Sequence, residues 1–212
     1  MDILYLGHSS FRIKTRSATI IADPFSSAVV GWKFPKTEAD IVTVSHQHQD
    51  HNQVEAVGGE PFIVSLPGEY EIKGISIFGY SSFHDKNKGA ERGPNTIFVI
   101  EAEGLRLCHL GDLGVLPPAE VMEEIIGVDV LMVPVGGKYT LGPEEAVEAV
   151  NQIEPSIVLP MHFRVPGLTE LADLNEFLTE MGAEKTERLD KLSLTKDKLP
   201  EETRVVVLEK KS

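Results

Sequence analysis

The chain has 212 residues, 42% hydrophobic and 25% charged, with a formal net charge of −13. This is ordinary globular composition, long enough for a domain with a sizeable core, and it excludes a disordered or fibrous chain. The negative charge repels a phosphate backbone at long range, so nucleic acid is not an expected partner, and no apolar run approaches the ~20 residues of a membrane helix.

The first half reads as short strands. Residues 3–6, 10–15 and 19–22 are strand-like, with turn residues Gly7 and Ser17 between them. The β-branched run 41–45 ends directly at a histidine cluster. Residues 62–65, 75–80, 96–101 and 106–110 continue the pattern, and Glu103-Gly104 between the last two reads as a hairpin turn.

The second half alternates helix and strand. A helix opens at Pro117-Pro118, carries Val121, Met122, Ile125 and Ile126 on one face, and stops at Gly127. A strand follows over 129–134. Gly142-Pro143 starts a second helix, with Glu144 and Glu145 in the first turn where acids suit the dipole, and Ala146, Val147, Val150 and Ile153 at helical spacing. Residues 157–161 are a strand. Thr169 is the expected cap of a third helix that carries Leu171, Leu174, Phe177, Leu178 and Met181 and ends at Gly182. Residues 203–208 close the chain as a strand. With no linker and no fixed-period repeat, the expectation is one domain over residues 1–212, built from two sheets packed face to face with helices outside. Residues 24–35 and 84–94 are the two long irregular stretches, and loops of that length are often functional.

The most informative segment is Ser45-His46-Gln47-His48-Gln49-Asp50-His51. Alternate side chains of an extended segment share a face, so His46 and His48 can reach one ion together. Asp50 and His51 diverge and can serve a second ion beside it. Imidazole nitrogen with carboxylate oxygen suits Zn²⁺ best, and Mn²⁺ and Fe²⁺ are the alternatives. Four residues do not complete two coordination shells. The candidates for the rest are His84 after a strand-like run, Asp112 between glycines just past a strand, where a carboxylate can bridge two ions, and His162 at a strand end. Plainer readings exist for each: a turn-capping Asp, a loop His, a histidine at the core edge.

The order His46-x-His48-x-Asp50-His51, a lone His, Gly111-Asp112 and a late strand-end His162 resembles that of the metallo-β-lactamase-fold hydrolases. Gly7-His8-Ser9-Ser10-Phe11, Asp23-Pro24 and the run 136–143 further resemble the branch that contains ascorbate-6-phosphate lactonase and related metal-dependent hydrolases. The resemblance implies a four-layer αββα sandwich with two mixed sheets and the metals at one sheet edge. It implies His46, His48 and His84 on a first metal, Asp50, His51 and His162 on a second, and Asp112 between them. His84 stands in Phe83-His84-Asp85 rather than in the Gly-His-Thr of many relatives.

The expected chemistry is hydrolysis of a small ester, lactone or phosphoester by water activated between two zinc ions, with Asp50 and Asp112 as the catalytic carboxylates. Asp23, His8 and His109 are candidates to hold the ligating imidazoles from behind, since such rings need their other N–H fixed. Lys138, Tyr139 and Thr140, in a glycine-rich approach to a helix, and Arg164, close after His162, are candidates to contact an anionic substrate. The competing functions are a phosphodiesterase or nuclease acting on a nucleotide, which the net charge disfavours, and a non-catalytic metal-bound binding domain. A homo-oligomer is compatible with the sequence. The single Cys108 makes no internal disulfide and the N-terminus carries no basic, apolar leader, so the expected setting is the cytoplasm.

Overall fold

The computed structural model describes residues 1–211; Ser212, the last residue of the expected domain, lies outside them. Two mixed sheets form the frame. The first runs in the spatial order Leu192–Ser193, Asp2–Gly7, Ser10–Lys14, Thr19–Ala22, Ile41–Thr43, Phe62–Val64. The second runs Arg204–Val205, Ile157–Met161, Val130–Pro134, Leu105–His109, Pro94–Ala102, Ile75–Phe83, Gly68–Ile72. Antiparallel hairpins build one side of each sheet and parallel crossovers the other.

Side-chain alternation explains why the sheets stack. In Pro94–Ala102, Phe98 and Ile100 point into a core shared with Ile3, Phe11, Ile13 and Ile20 of the first sheet. Their neighbours Ile97 and Val99 point to the other face and meet helix-borne side chains. Both faces are covered, so the strand reads as a continuous apolar run rather than an alternating one. Each fully buried side chain of this size contributes about 1.5–3 kcal/mol.

Three helices cover the second sheet: α2 (Ala119–Ile125), α3 (Pro143–Ile153) and α4 (Leu174–Glu180), through residues such as Ile125, Ala146, Val150 and Phe177. The outer layer over the first sheet is thin. It consists of the short helix α1 (Ser27–Val30) and loops that bring Phe25, Phe34 and Val165 onto Leu6, Ile21 and Val42.

Local details differ from expectation in several places. Helix α4 starts at Leu174, not after Thr169, because Asp173 caps it: its Oδ1 accepts the Asn175 N–H at 2.9 Å and Glu176 returns a bond to the Asp173 N–H at 2.8 Å. The closing strand 203–208 is split. Arg204–Val205 pairs with Ile157–Met161, and Val207–Leu208 pairs with Arg188–Leu189. Gly68–Ile72 is an added edge strand in which Tyr70 and Ile72 pack on the core between outward Glu69 and Glu71, an alternation too short to stand out in the sequence.

Candidate metal centre

Six strands deliver the candidate residues to one rim of the two sheets. His8, Asp23, His84 and His162 each follow directly on a strand's last residue, and the 46–51 loop and Asp112 follow within a few residues. Strand ends fix the backbone and free the side chain. His8 (φ 55°), Asp23 (φ 43°) and His162 (φ 53°) all adopt the left-handed backbone region, which His and Asp tolerate better than most residues but which still carries strain. Two backbone tethers hold this geometry: the His162 N–H donates to the His8 carbonyl at 3.1 Å, and the Tyr5 hydroxyl donates to the same oxygen at 2.9 Å.

Asp112 is the centre of the cluster. Its Oδ2 lies 3.2 Å from His84 Nε2, 3.1 Å from His162 Nε2 and 3.7 Å from His46 Nε2. Its Oδ1 lies 3.1 Å from His51 Nε2. Two groups of potential ligand atoms flank this carboxylate: His46 with His48 and His84, and Asp50 with His51, His162 and His8, the atoms of each group lying within 4.8 Å of one another. Ligand atoms about 2.1 Å from a tetrahedral ion sit about 3.4 Å apart, so these spacings fit shared ions. The polar bookkeeping agrees. Among the described residues, His46 Nε2, His51 Nε2 and Asp112 Oδ1 are buried without a hydrogen-bond partner, and buried polar atoms are rarely left so.

The backs of two of the rings are held, while Nδ1 of His8, His84 and His162 has no partner among the described residues. Asp23, fully buried, accepts the His51 Nδ1–H at 2.8 Å, the Ser45 N–H at 2.8 Å and the Ser45 hydroxyl at 2.5 Å. The Ser45 hydroxyl, its own proton given to Asp23, accepts from His46 Nδ1 at 3.0 Å. One carboxylate therefore fixes both rings with Nε2 facing Asp112. Asp23, His46 and His51 also lie close enough to hold an ion, but Asp23 is already taken up by these three bonds.

His8 does more than support the fold, since its Nε2 sits 3.2 Å from Asp50 Oδ2 inside the second group. His109 makes no bond to a candidate ligand: its Nε2–H donates to the Ser9 carbonyl at 2.8 Å and its Nδ1 accepts the Gly111 N–H at 3.1 Å. Asn95 gave no signal in the sequence yet holds the Asp112 turn. Its Oδ1 accepts the Asp112 N–H at 3.0 Å, and its Nδ2 donates to the Leu110 carbonyl at 2.9 Å and to Ser82 at 2.7 Å. The glycines beside Asp112 are required by space. A Cβ on Gly111 (φ 57°) would meet Asn95 Oδ1 at 2.3 Å, and one on Gly114 would meet the His84 carbonyl oxygen at 2.4 Å.

The charges are strongly coupled. Burial, then His162, pushes His8 down to about 4; burial, then His51, pushes His46 down to about 3. Both rings are therefore neutral near pH 7, as a metal ligand must be. Burial alone would lower His51, but Asp112 and Asp50 outweigh it and raise that ring well above its usual value. Burial would raise Asp112, Asp50 and Asp23. The facing imidazoles, His162 and His51 for Asp112, His51 and His8 for Asp50, His109 and His51 for Asp23, hold all three below the usual carboxylate range.

Residues 2–162 match the profile of the Beta-lactamase superfamily domain. The chain belongs to the metallo-β-lactamase superfamily. Within it the chain stands among the metal-dependent hydrolases. It is 30% identical over 210 residues to a UPF0173 metal-dependent hydrolase of Thermococcus onnurineus, covering 86% of this chain and 92% of the relative. A second protein of that name, from Pelotomaculum thermopropionicum, is 30% identical over 200 residues, covering 80% and 87%. A crystal structure from Thermotoga maritima, described as a Zn-dependent hydrolase of the superfamily, superposes with a TM-score of 0.82 at 37% identity over 99% of each chain. The two mixed sheets are thus those of the metallo-β-lactamase fold, and the His/Asp cluster has donors that could hold this hydrolase's metal.

The mouth of the cluster is a 230 Å³ cavity lined by His48, Asp50, His84, Asp112 and His162 together with Arg92, Tyr139 and Glu170. Of the expected substrate contacts, Tyr139 stands at this mouth, its hydroxyl donating to Glu170 at 3.1 Å. Lys138 and Thr140 line the adjoining cavity of 340 Å³, with the Thr140 hydroxyl bonded to the Leu141 carbonyl at 3.2 Å. Arg164 is not among the residues lining the mouth; its Nε–H donates to the Leu171 carbonyl at 2.9 Å. Among the described residues, no helix is long and apolar enough to cross a membrane.

Proposed function

We propose that this chain hydrolyses a small ester, lactone or phosphoester with the help of two divalent cations, for which zinc suits the donors best. The observation that carries the reading is the place of Asp112 between the two groups: its Oδ2 lies within 3.7 Å of His46, His84 and His162, and its Oδ1 lies 3.1 Å from His51. His46, His48 and His84 would hold one cation, Asp50, His51 and His162 the other, and Asp112 both. Bound there, the cations would acidify a water and polarise the oxygen of the scissile group.

The protein's own groups supply the rest. Asp23 and Ser45 keep the His51 and His46 rings in one tautomer and one orientation. Asp50 Oδ2 lies 3.2 Å from His8 Nε2 and 3.7 Å from His51 Nε2, so this oxygen would serve the cation and the other would accept a hydrogen bond from the attacking water. The mouth has room for a small reacting group. We place the protein in the cytoplasm. Cys108, its single thiol, is buried with its pKa pushed up by burial, as befits a thiol used for packing in a reducing compartment.

The test is elemental analysis of purified protein, followed by assays of lactones, esters, thioesters and phosphodiesters after reconstitution with zinc, manganese or iron. Two equivalents of bound metal and metal-dependent turnover are expected. Turnover that survives complete removal of metal would end this reading.

A further inference from the structure

Three cavities meet beside the cluster: the 230 Å³ mouth, the polar cavity of 340 Å³ that Lys138 lines, and a cleft of 390 Å³ bounded by Leu66, Pro67 and Pro94. Arg92 lines all three. Its guanidinium carbon lies 3.8 Å from the centre of the Tyr139 ring, and Lys138 Nζ lies 5.3 Å from the same ring. Among the described residues, neither cation has a carboxylate oxygen within 4.0 Å. In a chain of net charge −13, neither of these adjacent cations is held in contact by an acid, although the Glu170 carboxylate that Tyr139 bonds feels the charge of Lys138. Nearby Lys86, in contrast, is paired with Glu145.

Arg92 is also held in place. The Asp85 carboxylate accepts the backbone N–H groups of Asn87 at 2.8 Å, Gly89 at 3.0 Å, Glu91 at 3.1 Å and Arg92 at 2.8 Å. This closes the loop that begins at His84, so one carboxylate sets the positions of a candidate metal ligand and of Arg92. The Tyr139 ring under the guanidinium is fixed in turn by its bond to Glu170. A guanidinium seated on an aromatic face keeps its N–H edge free for a planar acid.

We propose that Arg92 determines specificity by receiving the anionic group, carboxylate or phosphate, of the substrate, with Lys138 adding charge beside it. This rests on the hydrolase reading, because the anion is placed relative to a scissile bond over the cluster. The substrate would then be a small anionic ester or lactone whose charged end lies in the Lys138 cavity. The sequence pointed to Lys138 and Arg164 for this task. The fold brings Arg92 to the mouth instead and engages Arg164 with a backbone carbonyl.

The test uses two aryl esters of equal acyl length, para-nitrophenyl hexanoate and mono-para-nitrophenyl adipate, on the zinc-loaded full chain. Wild type should favour the adipate ester. Arg92→Ala should cut the adipate-to-hexanoate ratio of kcat/KM by about 10- to 100-fold, mainly through KM, the loss expected for one charge-assisted bond. Arg92→Lys should fall between, because it keeps the charge and loses the fork. An unchanged ratio in Arg92→Ala overturns the proposal. Calorimetric binding of adipate monoamide and of hexanamide is measured in parallel. If wild type cleaves neither ester, the reading as an ester hydrolase fails, and the binding arm still decides on Arg92. Preference for the charged amide that disappears in Arg92→Ala supports the role, and a preference that is absent in wild type or intact in the variant overturns it. Because the Arg92 backbone, not its side chain, bonds Asp85, the truncation leaves the loop's cage in place.

Discussion

Asp23 Oδ2 accepts the Nδ1–H of His51 at 2.8 Å, joining the turn after one strand to the loop after the next strand of the same sheet. The same carboxylate reaches His46 through Ser45, so a residue that touches no candidate ion orients one ring in each metal group. Asp23→Ala should therefore weaken the binding of both metals, by about 10- to 100-fold each. Titration against a competing chelator measures this. Wild-type affinity in the variant would show that the rings hold their orientation without it.

Asp112 faces both groups, so Asp112→Asn is expected to lower metal content and turnover together. The amide keeps the shape and an oxygen but loses the charge that two cations would share. Elemental analysis and kcat on the reconstituted variant make the comparison. Full activity with two metals bound would remove Asp112 from its bridging place.

Gly111→Ala should destabilise the fold by about 2 kcal/mol or more, because a side chain is strained at φ 57° and its Cβ would press on Asn95 and Ser45. Asn95 is the residue that holds the Asp112 N–H, so metal affinity should fall in the same variant. Urea denaturation and metal titration read the two effects separately. The comparable change at Gly74, where a Cβ meets nothing within 4 Å, should show only the backbone cost of its positive φ.

Metal-free protein should lose stability as the pH falls from about 6.5 towards 4. His8 and His46 have folded pKa values near 4 and 3, below the unfolded 6.5. In that window the unfolded chain takes up protons that the fold refuses, so acidification favours unfolding. His8 alone contributes on the order of 3 kcal/mol once the pH is below its folded value. His51 does not offset this. Its pKa is raised, so its stabilisation is already complete below 6.5 and is lost only as pH rises through the folded value. The depressed Asp112 and Asp23 lose theirs only below the usual carboxylate pKa. Denaturation midpoints of chelator-treated protein across this range give the curve, and a flat profile would contradict the assigned proton states.

Much of the architecture was legible because it follows local rules. The apolar run in Pro94–Ala102, the proline-led start of α3 and the Glu103-Gly104 turn depend on neighbours in sequence, and the structure keeps them. Thr169 misled because a capping residue is chosen by competition. Asp173 with Glu176 satisfies two backbone donors at once and so sets the start of α4. Gly68–Ile72 stayed hidden because only two of its residues, Tyr70 and Ile72, turn to the core, too few to show a period in the sequence.

The sequence by itself determined the donors: three imidazoles and an acid within 46–51, a glycine-flanked Asp112, and two further histidines at strand ends, a set whose chemistry follows from residue type. Tertiary structure alone decided that His8 joins the donors around Asp50, that Asp23 serves His51 and His46 while His109 serves the backbone, that Asn95 holds Asp112, and that Arg92 rather than Arg164 stands at the mouth. The reason is physical. Metal chemistry is carried by the side chain and can be read one residue at a time, whereas a hydrogen bond of about 3 Å depends on where strands distant in the chain come to end, and that is fixed by the packing of the two sheets.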